Sequence, residues 1–231
     1  MSTTGDHEVQ PTNAPHSIPT ATVQRLPEYL RALHALGDGD GDTVSSEELA
    51  SVTGVNSAML RKDLSYLGAS GVRGVGYDVA SLTSRISTTL GLTRYYRVAL
   101  IGMGHLGQAL ARYPGFASRG FHIAAMFDAD AEMIGTRHGN HTVRNVNELF
   151  KAVGEEDINI GVIATPESAA QQVADLLIGA GITSILNFAP CVLSVPETVV
   201  VRKVDLAVEL QLLSFHEHHK TLQRQEREQQ L

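Results

Sequence analysis

The chain has 231 residues, a formal net charge of −7 and 43% hydrophobic residues, which suits one large domain or two of modest size. Its single cysteine, Cys191, excludes an internal disulfide and fits the reducing cytosol. The N-terminus lacks the basic and then apolar pattern of a secretory signal, and no apolar run is long enough to cross a bilayer. We therefore expect a cytoplasmic protein with no membrane partner.

The first predicted elements are a tail and a helix. Residues 1–19 are polar and carry three prolines without a periodic apolar pattern, which predicts a disordered tail. From Val23 to Leu36, apolar residues recur at steps of three and four, which predicts a helix. Pro27 lies inside this stripe and either starts the regular helix or bends it. Gly37 is the predicted end of the helix.

Two short helices separated by a glycine turn are predicted next. Ser45 and Glu48 form a capping box, which predicts a helix through Val52. After the break at Gly54, Asn56 is the predicted cap of a second helix over 57–67.

The second of these helices has an apolar face and a basic face. Leucines at 60, 64 and 67 share one side, and the other side carries Ala58, Arg61, Lys62 and Ser65. A helix, a glycine turn and a helix with small and basic residues outward form the helix-turn-helix pattern. Such a second helix has the width and polarity to enter a major groove of DNA.

A glycine-rich stretch over 68–77 carries one arginine, Arg73. Two short strands with a tip would form a wing here, with Arg73 against the DNA backbone or in a minor groove. Residues 81–90 are a further predicted helix, so we predict a winged-helix DNA-binding domain over 20–90. Its predicted DNA-facing residues are Ser57, Ala58, Arg61, Lys62, Ser65, Tyr66 and Arg73.

The charge of this segment limits the prediction. Residues 20–85 contain six basic and eight acidic residues, a net charge of −2, whereas a DNA-binding domain is usually basic. Residues 57–77 contain three basic residues and one acid, a net charge of +2. Any contact with DNA must therefore be local. The alternative is a small helical bundle whose Arg-Lys face is only solvated.

The most specific motif lies over 96–128. An apolar run of strand length, Tyr96 to Ile101, leads into a G-x-G-x-x-G, and a helix is predicted over 108–113. A second apolar run, Phe121 to Phe127, ends at Asp128. This acid lies about 20 positions after the last glycine, as the dinucleotide-binding fingerprint requires. The alternative is a glycine-rich turn in another kind of α/β domain.

Each part of the fingerprint has a physical role. Gly102 allows the tight turn, Gly104 lets the backbone approach a pyrophosphate, and Gly107 lets the helix pack close to its strand. The N–H groups at the start of the helix would hold the phosphates. Asp128 would accept hydrogen bonds from both adenosine ribose hydroxyls and repel a 2′-phosphate, which favours NAD(H) over NADP(H). The predicted cofactor contacts of this loop are Gly102, Met103, Gly104, His105, Leu106 and Gly107.

The α/β alternation continues to residue 201. We predict helices over 147–153, capped by Asn147, and 167–180, strands over 158–164 and 182–186, and an edge strand over 198–201. Ligands of such doubly wound parallel sheets bind beyond the carboxyl ends of the strands. The candidates there are Thr165, Pro166, Asn187 and Phe188, although ordinary loop chemistry explains them equally well. We predict a Rossmann NAD(H)-binding domain over 91–205.

The last predicted element is an amphipathic helix from Leu206 to about Glu217. Its apolar residues need a partner, and a self-complementary contact in a homodimer supplies one. We assign residues 206–231 to this dimerisation helix and a tail. Three histidines, at 216, 218 and 219, have no acidic or cysteine partner placed with them, so no metal site is predicted.

Together these motifs resemble those of the Rex family of redox-sensing transcriptional repressors. The likeness runs from about Ile18 to Glu217. The segments that carry it are Arg25-Leu26-Pro27 with Tyr29-Leu30-Arg31, Leu60 to Tyr66, Arg73 to Tyr77, the nucleotide motif, Tyr113 to Phe116, and Ile185 to Pro190.

The resemblance implies a homodimer of winged-helix and Rossmann domains whose C-terminal helix is swapped into the partner. NADH binding would close the dimer and release double-stranded operator DNA, whereas NAD+ would compete for the site but permit DNA binding. Arg61, Lys62 and Arg73 would contact DNA.

The resemblance also implies a polar switch of Arg31, Tyr113 and Asp205, in which the acid changes partner between the two states. Many members have Phe directly after this acid, against the nicotinamide, where this chain has Leu206.

Two other classes of function remain open. One is an NAD-dependent oxidoreductase, although little chain remains for a substrate domain, and neither a Tyr-x-x-x-Lys pair nor an obvious acid–base set follows the fingerprint. The other is a nucleotide-binding subunit without DNA activity. We predict no enzyme and no catalytic residue.

Overall fold

The computed structural model describes residues 18–37 and 42–228, so the tail predicted over 1–19 falls almost wholly outside the described residues. The chain divides into two structural units between Arg94 and Tyr95. No helix in the described part is long and apolar enough to span a membrane.

The described part of the N-terminal unit contains four helices and a small antiparallel sheet. Its elements are α1 (Thr20–Gly37), β1 (Thr43–Val44), α2 (Ser46–Thr53), α3 (Ser57–Tyr66), β2 (Tyr77–Asp78) and α4 (Val79–Thr89). The helices enclose a core in which Leu26, Leu33, Leu49, Leu60 and Leu64 have no exposed surface. The apolar stripes predicted for α1 and α3 therefore form the centre of this unit.

The predicted helix ends depend on local hydrogen bonds that the structure contains. Ser45 and Glu48 form the capping box of α2, Gly54 has the left-handed conformation with φ of 70°, and Asn56 Oδ1 accepts from the backbone N–H of Met59 at 2.7 Å. Pro27 does not start α1, since this helix begins at Thr20.

The predicted wing has a different pairing. Val72 and Gly76 form a single bridge around a turn that contains Arg73, while the strand that follows, β2, pairs with β1 from before the helix-turn-helix. Gly76 has φ of 105°, and a Cβ there would overlap the carbonyl of Val44. Glycine is therefore required where the end of the wing passes β1.

The C-terminal unit is built on a parallel sheet. Its elements in chain order are β3 (Tyr96–Ile101), α5 (His105–Ala111), α6 (Pro114–Ala117), β4 (Phe121–Asp128), β5 (Arg137–His138), β6 (His141–Asn145), α7 (Leu149–Glu155), β7 (Ile160–Ile163), α8 (Glu167–Gly179), β8 (Ser184–Asn187), β9 (Val200–Lys203) and α9 (Leu206–Glu228).

The strand order is β5-β6-β4-β3-β7-β8-β9, and only the β5–β6 pair is antiparallel. Without β5 this is the 3-2-1-4-5-6 order of the doubly wound dinucleotide-binding fold, as predicted. Alternate residues of β3 enter different cores: Ala99 and Ile101 pack with residues of α7 and α8, whereas Val98 and Leu100 pack with Met103 and Leu110. Both faces of the sheet are therefore covered.

Several predicted bounds are wrong, for local reasons. The helix after the glycines begins at His105 rather than at 108, because the chain enters it directly from Gly104. Asn145, and not Asn147, makes the capping contact before α7: its Oδ1 accepts from the N–H of Asn147 at 2.9 Å, and a 3-10 turn over Val146–Glu148 precedes the helix. The last helix continues to Glu228, past the predicted end near 217.

Candidate functional site

The carboxyl ends of four strands, β3, β4, β7 and β8, bring the predicted cofactor residues to one edge of the sheet. Ile101 pairs with Phe127 on one side and Ile163 on the other. The next hydrogen bonds continue this register: Gly102 N donates to Phe127 O at 2.9 Å, Ala164 N to Ile101 O at 2.8 Å, and Phe188 N to Ile163 O at 2.9 Å. The glycine loop, Thr165 and Phe188 therefore all follow the same row of strand ends.

The three fingerprint glycines are needed for different reasons. Gly102 has φ of 95°, and a Cβ there would lie 2.7 Å from the carbonyl of Ala164. A Cβ at Gly107 would overlap the carbonyl oxygen of Gly102, so packing inside the protein requires both glycines. Gly104 has nothing within 4 Å of its Cβ position and is exposed at the start of α5. Its open side fits the predicted approach of a pyrophosphate.

Asp128 lies against the glycine loop. Its Oδ2 accepts from the N–H of Met103 at 2.6 Å, and its Oδ1 accepts from Ala129 N and Asp130 N at 2.7 and 3.0 Å. Since an ionised carboxylate has about four acceptor positions, one remains for a ribose hydroxyl. The predicted bond to both hydroxyls would require one of these backbone contacts to break. Met103 is fully buried, and its carbonyl accepts from Gln108 Nε2 at 3.0 Å, so the predicted cofactor contact of this residue is wrong in this structure: neither its side chain nor its backbone is free for a ligand.

Thr165 carries an unpaired polar atom at this edge. Its Oγ1 is buried and has no hydrogen-bond partner among the described residues. A buried hydroxyl without a partner costs free energy, and a bound ligand would relieve that cost. Pro166, the next residue, is exposed at the start of α8. Together with the open side of Gly104, the Thr165 hydroxyl fits a dinucleotide at this edge.

Asn187 is not available to a ligand in the way predicted. It is 1% exposed, its Oδ1 accepts from Ala189 N at 2.9 Å, and its Nδ2 donates to the carbonyls of Ala189 and Cys191 at 3.2 Å. Its amide therefore shapes the loop after β8 instead of facing a cofactor. Phe188 in that loop is half-buried against the core that contains Met103. His105 and Leu106 are exposed in the first turn of α5.

The predicted DNA-facing residues lie on the outer side of α3 and on the wing. Ala58, Arg61, Lys62, Ser65 and Arg73 are exposed, whereas Ser57 and Tyr66 are half-buried. The hydroxyl of Ser65 donates to the carbonyl of Lys62 at 2.7 Å, so it can offer DNA only its acceptor positions. Arg61 is held by α2, because its Nη1 donates to Ser46 Oγ at 2.9 Å and to Glu47 Oε1 at 3.0 Å.

A buried carboxylate joins α3 to α1. Asp63 accepts four hydrogen bonds: from Arg25 Nε and Nη2 at 2.7 and 2.8 Å, from Thr22 Oγ1 at 2.8 Å and from the Tyr29 hydroxyl at 2.7 Å. Burial raises the pKa of Asp63, but the hydrogen bonds from Arg25, Tyr29 and Thr22 outweigh it and hold the pKa below its ordinary value. Burial and the bond to Asp63 raise the pKa of Tyr29 to about 12.

Sequence reasoning missed both of these contacts. Asp63 could have been found, because it lies on the same face of α3 as Leu60 and Leu64, where an acid needs a partner. The contact between Arg61 and Glu47 has no comparable signal, since the two residues belong to different helices.

Each of the three residues of the predicted switch contacts a residue of its own unit, and none of these contacts is with another member of the switch. Arg31, in the N-terminal unit, pairs with Glu28. In the C-terminal unit, Asp205 pairs with Lys203 at 3.0 Å and its Oδ1 caps α9 through the N–H of Ala207. The hydrogen bond from Lys203 is the main cause that lowers the pKa of Asp205. Tyr113 is half exposed with its ring edge-to-face to Phe116.

The last helix has an uncovered apolar surface. Its exposed residues are Leu206, Val208, Leu210, Leu212, Leu213 and Phe215, each between 44% and 66% exposed. An exposed apolar surface of this kind marks an interaction site. Among the described residues, no three His, Cys, Asp or Glu side chains lie close enough to hold a metal ion.

Comparison with known proteins covers both units. Two family models match, described as "CoA binding domain" over residues 93–191 and "Putative DNA-binding protein N-terminus" over residues 17–65. A redox-sensing transcriptional repressor Rex of Streptomyces griseus is 58% identical over 211 residues, which cover 91% of this chain and 83% of that protein. The Rex of Syntrophomonas wolfei is 47% identical over 86% of this chain and 95% of its own length.

Similar solved structures belong to the same family of repressors as these relatives. A Rex-family repressor named RSP, in complex with β-NADH, has a TM-score of 0.81 at 33% identity and covers 91% of this chain and 99% of its own. The same repressor with β-NAD+ and operator DNA has a TM-score of 0.84 at 34% identity, over 91% and 97% of the two chains. From this identity over most of its length, the chain belongs to the Rex family of redox-sensing transcriptional repressors.

Proposed function

We propose that this chain is a transcriptional repressor that binds operator DNA and is released from it by NADH. The observation that carries the proposal is the likeness to RSP over 91% of the chain, because RSP has been solved both with NADH and with NAD+ and operator DNA. One chain thus combines the two units that a redox-dependent repressor needs.

The cofactor would bind at the edge of the sheet formed by the ends of β3, β4, β7 and β8. The loop from Gly102 to Gly107 would hold the pyrophosphate, with Gly104 nearest to it, and Asp128 would accept from the adenosine ribose. The buried Thr165 hydroxyl would find its partner in the ligand, with Pro166 and Phe188 beside it. The open side of Gly104 and the unpaired Thr165 Oγ1 support this assignment.

The DNA would lie against α3 and the wing. Arg61, Lys62 and Arg73 would be the main contacts, supported by their exposure and by the helix-turn-helix geometry of α2 and α3. Phosphate contacts would position the protein and contacts to base edges would give specificity. Ser57, Ala58, Ser65 and Tyr66 would form the surrounding surface.

The active form would be a homodimer that uses α9. The exposed apolar residues of this helix support a contact with a second copy of the chain, since a two-fold interface covers the same patch on both subunits. Asp205, at the start of α9, would exchange Arg31 for Tyr113 when the dimer closes, which requires the contacts with Lys203 and Glu28 to break.

The two cofactors can be distinguished only at the nicotinamide, because they share the adenosine and pyrophosphate. The ring is neutral in NADH and positive in NAD+. An apolar neighbour such as Leu206 favours the neutral ring, since burying an unpaired charge is costly. The differential affinity of the two cofactors for the two states would then drive release.

The test is operator binding titrated with NADH at several fixed NAD+ concentrations, next to an assay for NADH turnover. We expect release that follows the NADH to NAD+ ratio, without turnover. Release that ignores the ratio would exclude a redox sensor, turnover with a small substrate would indicate an oxidoreductase, and NADH binding without DNA binding would indicate a nucleotide-binding subunit.

A further inference from the structure

The contact between Arg61 and α2 bears on how operator DNA is read, and its significance rests on the proposed function. Arg61 Nη1 donates to Ser46 Oγ and to Glu47 Oε1, and Ser46 Oγ donates to Glu47 Oε2 at 3.1 Å. Both carboxylate oxygens of Glu47 are thus engaged. The side chains of Arg61, Ser46 and Glu47 thus form a ring of hydrogen bonds that fixes the Nη1 end of the guanidinium.

The other edge of the guanidinium is available. Among the described residues, Nε and Nη2 of Arg61 have no hydrogen-bond partner. These two nitrogens form a planar fork that donates two parallel hydrogen bonds. In the same unit Arg25 uses this fork on the two oxygens of Asp63, at 2.7 and 2.8 Å. The Arg61 side chain is 50% exposed, so its fork is accessible on the outer face of α3.

Glu47 also affects which acceptor the fork prefers. A phosphate and the major-groove edge of guanine both offer two acceptors. The attraction to a phosphate depends on net charge, and the ion pair of Arg61 and Glu47 has no net charge. Hydrogen bonds with its own backbone N–H and with Ser46 lower the pKa of Glu47, so its carboxylate is charged at neutral pH. A guanine edge needs only the two aligned donors and keeps its attraction.

We propose that Glu47 is a positioning residue that sets the sequence specificity of Arg61. It holds Nη1 and offsets the charge, so that the free fork of Arg61 reads a guanine in the major groove instead of a phosphate. Lys62, the next residue, has no ion-pair partner in the described part of the chain and keeps its full charge for the DNA backbone.

The experiment compares two acidic substitutions in the full-length protein. An operator duplex is first selected with the wild-type protein from a random library, and a scrambled duplex of the same composition serves as the non-specific probe. Glu47→Gln removes the charge beside Arg61. Asp42→Asn is the matched control, because it removes one exposed acid of the same unit that makes no side-chain contact with Arg61.

We expect Glu47→Gln to raise the affinity for the scrambled duplex and to lower the affinity for the operator duplex. Arg61 regains its net charge and can contact a phosphate, so the scrambled duplex binds more tightly, and its dependence on salt steepens by about one counterion per subunit. The ratio of operator to scrambled affinity falls by about tenfold, within the range for losing one bidentate base contact. Asp42→Asn should leave this ratio unchanged. The Glu47 to Arg61 pair is exposed and adds little to stability, so the variant should fold.

A second measurement compares the wild-type protein and Glu47→Gln on chemically modified duplexes. Replacing each guanine of the selected duplex in turn by 7-deazaguanine removes the N7 acceptor. We expect one sensitive guanine in each half-site, and Glu47→Gln should lose that sensitivity. If no guanine is sensitive, or if Glu47→Gln and Asp42→Asn change the ratio equally, Glu47 does not have this role.

Failure of the proposed function would look different. A wild-type protein that selects no duplex would overturn the repressor proposal together with the role of Glu47. A wild-type protein that selects a duplex and releases it with NADH, but keeps its affinity ratio in the Glu47→Gln variant, would overturn the role of Glu47 alone.

Discussion

At the scale of single residues, we expect Asp128 to decide which cofactor the proposed site accepts. Its carboxylate lies at the end of β4 and accepts from the N–H of Met103 in the glycine loop at 2.6 Å. A carboxylate there hydrogen-bonds a ribose 2′-hydroxyl and repels a 2′-phosphate. In the proposed site, the same group would therefore supply both affinity for NADH and discrimination against NADPH.

We expect Asp128→Ala to weaken NADH binding by about tenfold, the loss of one charge-assisted hydrogen bond, and to narrow the preference over NADPH. The ratio of the two dissociation constants, measured by cofactor fluorescence, is the useful readout, because damage to the shared pyrophosphate site affects both cofactors alike. Asp130→Ala, two residues further along, is the control. A wild-type protein that binds both cofactors equally would contradict the assignment.

We expect Asp63 to make the N-terminal unit sensitive to acid. Its folded pKa lies below the ordinary value of 3.8, so its stabilising contribution is complete above that value and is lost as pH falls through the lower folded pKa. Asp63→Asn leaves Arg25 without its anion, and we expect a loss of roughly 3 kcal/mol in the free energy of unfolding at pH 7, the lower end for a broken buried pair.

The measurement for this variant is native-state hydrogen exchange of the α3 amides, which reports the opening of this unit separately from the other. The difference between the wild type and Asp63→Asn should narrow as pH is lowered from 6 towards 3. A constant difference over that range would show that the charge of Asp63 does not stabilise the fold. Asp42→Asn should behave like the wild type throughout.

The site residues that could be predicted are those whose role is local in sequence. Gly102 and Gly107 could be identified because one turn and one helix start require them, and Asp128 because it ends the adjacent strand. The position of Asn187 after a strand predicts a cofactor contact, but its amide is used by its own loop. The pairing of Arg61 with Glu47 depends on how α2 and α3 pack, and no spacing in the sequence encodes it.

At the scale of elements, α9 has two apolar stripes instead of one. Successive residues of a helix are about 100° apart, so Leu206, Leu210 and Leu213 lie on one side, and Val208, Leu212 and Phe215 lie on the opposite side. All six are exposed. A helix that is apolar on two opposite sides fits between two surfaces, as a helix swapped between subunits would.

We expect Leu213→Asp and Leu212→Asp each to weaken the dimer by about a hundredfold, because each places a charge in a different buried stripe. Sedimentation at several protein concentrations measures the effect. Ser214→Asp, on a polar side between the stripes, is the control and should leave the dimer intact. If only one of the leucine variants dissociates the dimer, α9 packs by one face and is not held between two surfaces.

An element could be predicted from the sequence where a single hydrophobic pattern runs through most of its residues. The strands β3 and β4 could be located to within one residue of their observed bounds because both are mainly apolar runs, each interrupted by one polar residue near its start. The short strands β5 and β6 were missed, since β6 alternates polar residues around one well-buried residue, Val143. The predicted start of α5 is three residues late, because glycine disfavours a helix interior while the loop geometry places Gly107 inside one.

At the scale of the whole molecule, the described parts of the two units have cores of their own. Each unit could therefore bind its ligand without the other, and cooperation between DNA and cofactor is a property that must be measured. Linkage gives that measurement a strict form, because two ligands that affect each other through one protein must do so reciprocally.

If NADH lowers the affinity for operator DNA by some factor, operator DNA must lower the affinity for NADH by the same factor. We expect a factor of ten or more for NADH, on the order of the usual range of allosteric coupling, and a factor near one for NAD+. The first is measured as operator affinity with and without saturating NADH, the second as NADH affinity of the free protein and of the operator complex. Unequal factors would mean that NADH acts by another route, such as dissociation of the dimer. The two factors measured with NADH could agree with each other and yet be similar to those measured with NAD+. The protein would then be a nucleotide-dependent repressor that cannot sense the redox state, and the apolar residue Leu206 would have no part in distinguishing the two cofactors.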